Sequence, residues 1–500
     1  MALPGGLGFI QEKNATLDLV EGQTGRLRVK VEESCFVVER ALLARHSDYF
    51  RALFRSGMRE SEQEELHLKG GLHARGFLIA LAVCRREIPT LRDPEELLDA
   101  VECAAFLQVP CLSRHLCDIV DSDNCLLLYR AADTFGVENL FRSAALFLCD
   151  TFDDLGETAQ ATLPEDLLQY CQSLSPASYV AIGTHSPSTE LLRDAHRVVC
   201  YLDEKEGQWK HLTHLPTLCS TSMCGVAVLD NLLYIVGGVH GYGKDAVDGA
   251  FCFDPESGVW TTLPGPQRPR YDFTLLAHEG RLYAVGGEFQ KRHITTAERY
   301  DPLKGDWTFI RQAPRPVASA ACAVARHRMF VCFWKPPDTT DIYEYVTLDD
   351  QWKLTTAMIR PQSYGHCMVA HRDNLYVMRN GPCDDFLRCL MDCYNLTTAQ
   401  WTAMPGHYIN SKGALFTAMI RGDSALTVKH MLTLEYAIGA HGWKPRRQMK
   451  GFPKSGSLRT CLLRLPKTGP AIPPAEAQRN RKEMPLKDKT ARSVDDVLEV

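Results

Sequence analysis

Three short proline-bearing stretches, PGPQRPRYD, RQAPRPV and IRPQSYG, set Arg268, Arg270, Arg311, Arg315 and Arg360 at intervals along the second half of the chain. A guanidinium fork pairs bidentately with a carboxylate or a phosphate, so such a set suits capture of an acidic or phosphorylated segment. The loops between expected second and third strands add Lys244, Lys291, Arg292 and His293, and Tyr242, Phe289, Tyr271 and Tyr364 add aromatic surface of the kind that anchors interfaces. Each arginine also has a plainer use: its stem packs on a neighbouring tryptophan or its head caps a carbonyl.

Signals for bond-making chemistry are missing from the sequence. Cys383, Cys389 and Cys393 are close together, but their spacing is neither CxxC nor half of a paired zinc pattern. They read as small hydrophobes in and beside strands. No GxSxG, HExxH or P-loop occurs, and GGVHGYG at 237–243 opens no helix, so it is a loop and not a nucleotide cradle. No catalytic residue, metal or cofactor is expected.

The elements that carry the arginines repeat. VLDNLLYIVGG is a short apolar strand stopped by a glycine pair, and AFCFDPESGVWTTL follows it with a strand, turn residues and a strand holding Trp260. LYAVGG and RYDPLKGDW repeat the pattern, and weaker copies replace the glycine pair with Gly183-Thr184, Cys332-Phe333 or Arg379-Asn380. Tryptophans at 209, 260, 307, 352, 401 and 443 are 51, 47, 45, 49 and 42 residues apart. A period near ~50 residues with four short strands per unit signals propeller blades. Six blades are expected, the first completed by SLRTCLLRL (457–465) from the C-terminal side.

The first part of the chain reads differently. RLRVKV alternates Leu27, Val29 and Val31 with Arg26, Arg28 and Lys30, a half-buried strand with Cys35 to Val38 as its hairpin partner. Ser47 is the expected N-cap of a helix bearing Tyr49, Phe50, Leu53 and Phe54, and Gly57 its stop. Asp93-Pro94-Glu95-Glu96 opens another helix, with Leu97, Leu98, Val101, Ala104, Ala105 and Leu107 as its buried side.

FVVERALLARHSDYFRALFRSGMRE with LLDAVECAAFLQVPCLSRHLC resembles a BTB domain, and DNCLLLYRAADTFGVENLFRSAALFL resembles the start of a BACK domain. The tryptophan units resemble kelch repeats. The order BTB, BACK, kelch is that of the kelch-like family of substrate adaptors for cullin-3 ubiquitin ligases. The resemblance implies an α+β BTB domain at 26–120, a short all-α BACK domain at 121–177 and an all-β six-bladed kelch propeller at 178–466, closed by its C-terminal strand. An N-terminal segment (1–25) and a proline- and charge-rich tail (467–500) flank them, and disorder is expected for the tail. Arg479, Arg481, Lys482, Lys487 and Lys489 in that tail read as a solvated cluster before they read as an import signal.

The same resemblance implies a non-catalytic protein. The family's hydrophobic-x-Glu cullin contact falls on Met58-Arg59-Glu60, and the cullin-binding residues it implies are Met58, Glu60 and Phe54. An apolar side chain beyond a helix end fits a groove on a partner helix while the carboxylate fixes orientation; the plainer reading packs Met58 into its own domain. In kelch propellers the loops bearing Arg268, Arg270, Lys291, Arg292, Arg311, Arg315, Arg360, Tyr242 and Tyr364 gather at one end, which becomes the expected substrate face. Homodimerisation through the BTB domain is also a family property. Here the family's N-terminal Arg-x-x-Gly-x-Leu-Cys-Asp-Val segment is replaced by GFIQEKNATLDLVEGQTGRLRVKV, with Arg26 at the usual aspartate and Glu39 at the usual histidine. A scaffold that binds a filament is the alternative, and a copper oxidase of the kelch type a third class.

Composition bounds the partners. Hydrophobic residues make up 45% and charged residues 23%, as in a soluble globular protein, and a net charge of -5 argues against general affinity for nucleic acid. No apolar run reaches the ~18 residues needed to span a bilayer. MALPGGLGFIQEK lacks the features of a signal peptide. Nineteen cysteines then read as reduced thiols, and the expected location is cytoplasmic, with nuclear or cytoskeletal association as further options.

Overall fold

The computed structural model describes residues 25–185, 196–240, 245–335, 339–359, 364–383, 386–410, 417–429, 432–438, 442–446 and 455–467. Two compact units meet in sequence between Ala145 and Leu146.

In the first unit, period-two alternation dictates strand β1 (Arg26–Val31), which buries Leu27, Val29 and Val31 and turns its basic residues outward. A two-residue turn with Glu32 at φ 51 returns the chain as β2 (Ser34–Glu39), antiparallel to β1. Helices α1 (Arg40–His46), α2 (Asp48–Arg55) and α3 (Arg59–Glu62) follow, and then β3 (Glu65–Leu68) pairs parallel with β1. The Ser47 hydroxyl accepts from the Phe50 N–H and starts α2.

Next come α4 (Ala74–Cys84), α5 (Pro94–Leu107), α6 (Pro110–Asp118), α7 (Cys125–Phe135) and α8 (Glu138–Asp150). Asp93 accepts from Glu95 N–H and Pro94 sits in the first turn of α5, which buries Leu97, Ala100, Val101, Cys103, Ala104 and Leu107. Gly76 lets α4 lie against α5: a Cβ there would stand 2.3 Å from the Asp99 carbonyl oxygen.

The second unit begins in α8, continues through α9 (Phe152–Thr162) and α10 (Glu165–Ser173), and is otherwise strand. Among the described residues six antiparallel sheets of four or five strands follow, with two two-stranded ribbons, Val239–His240 with Asp245–Ala246 and Glu288–Phe289 with Arg292–His293. Sheet 1 comprises Ser455–Arg464, Ala177–His185, His196–Asp203 and Gln208–His214, so its first strand comes from the far end of the chain. Sheet 2 comprises Gly225–Leu229, Leu232–Val236, Ala250–Asp254 and Val259–Leu263. Sheet 3 comprises Thr274–His278, Arg281–Val285, Ala297–Asp301 and Asp306–Ile310. Sheet 4 comprises Ala321–Ala325, Arg328–Lys335, Thr339–Val346 and Gln351–Ile359. Sheet 5 comprises Tyr364–His371, Asn374–Cys383, Phe386–Asn395 and Gln400–Ala403, and its third strand also pairs Tyr408–Asn410. Sheet 6 comprises Met419–Arg421, Ser424–Lys429, Leu432–Ala437 and Gly442–Arg446.

The arrangement is propeller-like, and the tryptophans explain the period. Trp260, Trp307, Trp352, Trp401 and Trp443 each stand on the fourth strand opposite an aromatic seven residues earlier on the third: Phe253, Tyr300, Tyr345, Tyr394 and Tyr436. Ring centroids in these pairs are 5.0–5.1 Å apart. For Trp260, Trp307, Trp352 and Trp401 the indole N–H then reaches the preceding sheet or the loop that leaves it. Trp307 Nε1 donates to Pro264 O at 2.9 Å, Trp352 Nε1 to Arg311 O at 3.0 Å and Trp401 Nε1 to Thr356 Oγ1 at 2.9 Å. Apolar clusters are likewise shared between consecutive sheets, and one joins Met419, Leu426 and Val428 of sheet 6 to Tyr179, Val198 and Trp209 of sheet 1.

The glycine pairs end strands and link sheets. Gly287 sits at φ 100 with its N–H on the Val317 carbonyl, and a Cβ there would meet Tyr271 O at 2.7 Å. Sheets 2 and 3, which carry the pairs, have second strands of 5 residues. Where the pair is replaced, the strand runs on, to 8 residues in sheet 4 and 10 in sheet 5.

Candidate partner-binding sites

The first candidate site is the turn that follows α2. Ser56 ends the helix and Gly57, at φ 67, redirects the chain. Met58 then serves as the N-cap residue of α3; its N–H donates to Ser56 Oγ at 3.2 Å, and its carbonyl accepts from Ser61 Oγ at 2.6 Å and Ser61 N–H at 3.0 Å. The backbone is thus held while the side chain projects: Met58 is 62% exposed. Glu60 is exposed as well. Phe54 is half-buried, its ring 5.8 Å from that of Phe50.

Sequence reasoning missed the residue that braces this turn. The Arg40 guanidinium lies 4.9 Å from the Phe54 ring centroid, donates to Ser61 O at 2.6 Å and also bonds Gln63 O, so it staples α2 to the end of α3. An arginine at a strand–helix junction carries no spacing that reveals this. Tyr49 and the partly exposed Phe106 stack at 5.7 Å, and Tyr49 in turn meets Phe50 at 5.3 Å, extending an aromatic run along α2 and α5.

The second candidate site is the arginine set, which the structure divides. Arg268 is exposed and lies 5.7 Å from the Phe289 ring centroid. Lys291, Arg292 and Arg311 are exposed too. The loop between the second and third strands of sheet 3 is fixed beneath them: the Lys291 N–H donates to Tyr271 Oη at 3.1 Å, and His293 Nε2 lies 3.2 Å from Glu288 Oε1. The Arg311 backbone is held by Asp350 Oδ1 at 2.7 Å. Arg268, Lys291 and Arg292 thus cluster about one loop of sheet 3, whereas Arg311 is tied to the turn between the third and fourth strands of sheet 4, by Asp350 and the Trp352 indole.

Arg270 does not belong with them. It is 0% exposed, donates to Gly286 O at 3.0 Å and Thr296 O at 2.8 Å, and forms an ion pair with Glu298, also 0% exposed. Strand-end carbonyls shut off from water need donors, and this guanidinium supplies them. Arg315 makes the equivalent turn inward in sheet 4, with Phe333 O at 2.9 Å and Asp341 Oδ2 at 2.7 Å. The expected substrate contact of Arg270, shut off from solvent, is therefore corrected to a structural role, while the Arg315 side chain stays 23% exposed. Arg360 and Tyr242 fall outside the described residues, as does the side chain of Tyr364 at the start of its strand. Lys244 and Cys383 likewise carry no side-chain description.

Comparison with known proteins follows the same division. Residues 26–124 match the family profile described as BTB/POZ domain, and residues 174–381 match the one described as KLHDC2/KLHL20/DRC7 Kelch-repeats domain. The chain is 52% identical over 452 residues to Kelch repeat and BTB domain-containing protein 13 of Homo sapiens, covering 90% of this chain and 98% of that relative. Identity to the protein of the same description in Mus musculus is 51% over 446 residues, covering 89% and 96%. Kelch-like protein 26 of Danio rerio is 24% identical over 508 residues, covering 80% and 81%. Among the described residues no helix is long and apolar enough to cross a membrane.

Proposed function

The chain belongs to the BTB–kelch family, and on that premise we propose that it is the substrate-recognition adaptor of a cullin-3 ubiquitin ligase. The observation that carries this reading is the projection of Met58 and Glu60 from a backbone-locked turn at the end of α2. An apolar side chain left in water beside a free carboxylate suits a desolvating pocket on a partner helix. The helices within 121–177 are read as a short BACK-type domain. The region 178–466 is then a six-bladed propeller closed by its C-terminal strand. Two observations support closure: the strand Ser455–Arg464 completes sheet 1, and an apolar cluster is shared between sheets 6 and 1.

The adaptor itself makes and breaks no bond. Its contribution is to hold a substrate near the charged conjugating enzyme, raising effective concentration. Arg268, Lys291, Arg292 and Arg311 favour a substrate with an acidic or phosphorylated segment. The described cysteines are all free, which suits action in the cytoplasm.

A pull-down of the full chain against purified cullin-3 tests the first contact. Met58→Asp with Glu60→Ala is expected to abolish capture with the melting temperature unchanged. Undiminished capture would remove the assigned contact, and absence of capture by the parent chain would favour a scaffold without a ligase. Charge reversal at Arg268 and Arg292 is expected to deplete ubiquitinated substrate while leaving cullin capture intact.

A further inference from the structure

Away from both surfaces, three helix ends of the first unit converge on one point. His46 closes α1, Cys84 closes α4, and Cys111 is the second residue of α6 after Pro110. Cys84 Sγ stands 3.8 Å from Cys111 Sγ, and Cys111 Sγ stands 3.9 Å from His46 Nδ1. All three donor atoms lie within 4.8 Å of one another. Cys84 is buried, while His46 and Cys111 are half-buried and so leave the cluster a route to solvent.

The spacing has a meaning for soft cations. Two thiolates bound at about 2.3 Å to a tetrahedral ion stand about 3.8 Å apart, and a thiolate and an imidazole nitrogen stand about 3.6 Å apart. The sulfur pair already has the first separation and the sulfur–nitrogen pair is within a few tenths of an ångström of the second. A weak S–H···S contact would account for two cysteines meeting, but it does not call for an imidazole nitrogen at the same point.

We propose that His46, Cys84 and Cys111 form a binding site for a thiophilic closed-shell cation, Zn2+ or Cu+. Three protein ligands and one open position suit Zn2+ with a water; a three-coordinate site suits Cu+ without one. Binding releases the two thiol protons and ties α1, α4 and α6 together at one point.

The test uses the full chain, reduced and stripped of metal, with Co2+ as the spectroscopic stand-in for Zn2+ and Cu+ added anaerobically in a second arm against a chromogenic chelator. Uptake of one tight equivalent with thiolate-to-cobalt charge-transfer absorption is expected. Cys111→Ser is expected to lose that absorption and to weaken binding by at least about 100-fold, beyond the 10–100-fold typical of changes outside the ligand set. His46→Gln, at a half-exposed position, checks the site if a cysteine variant folds poorly; Cys35→Ser, at an exposed thiol remote in sequence, is expected to change nothing. Absorption unchanged in Cys111→Ser or His46→Gln would overturn the proposal. So would absence of a tight equivalent in both arms, or recovery of Cys84 and Cys111 as a disulfide from the untreated protein. The tighter of the two arms identifies the ion.

Discussion

Arg270 and Glu298 form an ion pair that is shut off from solvent on both sides, and the Glu298 carboxylate also accepts the backbone N–H groups of Gln267 at 2.6 Å and Arg268 at 3.2 Å. One buried acid therefore organises the loop that presents the exposed Arg268.

Arg270→Leu is expected to destabilise the second unit by about 3–5 kcal/mol, because it leaves a buried carboxylate without its counter-ion. Replacing Glu298 with Met in the same chain should recover part of that loss. Thermal unfolding of the single and double variants checks it, and a single variant that melts like the parent would contradict the structural role.

Removal of the pairing between third and fourth strands should be felt as strongly. Trp307 is buried, faces Tyr300 at 5.1 Å and donates to Pro264 O of the preceding loop. Trp307→Ala is expected to cost about 3–5 kcal/mol and Trp307→Phe visibly less, read by denaturant unfolding.

Cutting the chain before Gly456 removes the first strand of sheet 1, and Arg464 shows how firmly that strand is tied. Its guanidinium spans both Asp150 oxygens at 2.8 and 2.7 Å, and its backbone exchanges hydrogen bonds with Asn231 at 2.8 and 2.9 Å. Arg464→Ala is expected to lower stability by about 1.5–3 kcal/mol, the scale of charge-assisted hydrogen bonds. The truncation should lower the melting temperature far more. Parent-like melting of the truncated chain would be inconsistent with sheet 1 as described.

Arg40 packs on Phe54 and bonds the Ser61 and Gln63 carbonyls, and so braces the turn that carries the proposed contacts Met58 and Glu60. Arg40→Met is expected to weaken cullin-3 capture about tenfold through lost pre-organisation, with Met58 and Glu60 intact. Binding measured by interferometry against Met58→Asp separates bracing from contact.

The start of α4 gives a pH dependence. Glu32 accepts the Ala74 N–H at 3.0 Å and faces His73 Nδ1 at 2.8 Å, first the amide and then the imidazole holding the carboxyl below its usual value. His73 is held above its usual value, chiefly by its hydrogen bond to Glu32. The depressed acid contributes above 4.5 and loses its contribution as pH falls through the folded value. The raised imidazole contributes below 6.5 and loses its contribution as pH rises through the folded value. The pair therefore supports α4 most fully between about pH 4.5 and 6.5. Glu32→Gln is expected to flatten the melting-temperature profile across that window, and an unchanged profile would dismiss the pair.

What could be read from the residues alone was whatever leaves a period or a cap. RLRVKV states its own burial, Ser47 and Asp93 announce their helices, and the tryptophans mark successive sheets because five of the six face an aromatic seven residues earlier, Trp209 facing Leu202 instead. The arginines were harder. Arg268 and Arg270 lie two residues apart in one loop, yet one is in water and the other is enclosed, a difference set by which strand-end carbonyls are short of a donor. Arg40, the Phe106–Tyr49 stack and the meeting of His46 with Cys84 and Cys111 join residues far apart in sequence, and no local pattern encodes them.

Sheet 1 takes three strands from residues 177–214 and waits for its fourth until residues 455–464 have been made. During synthesis the strand Ala177–His185 must therefore persist with an open edge while five further sheets emerge from the ribosome. The nascent protein has a long interval in which that edge can recruit a neighbouring polypeptide before the last strand arrives.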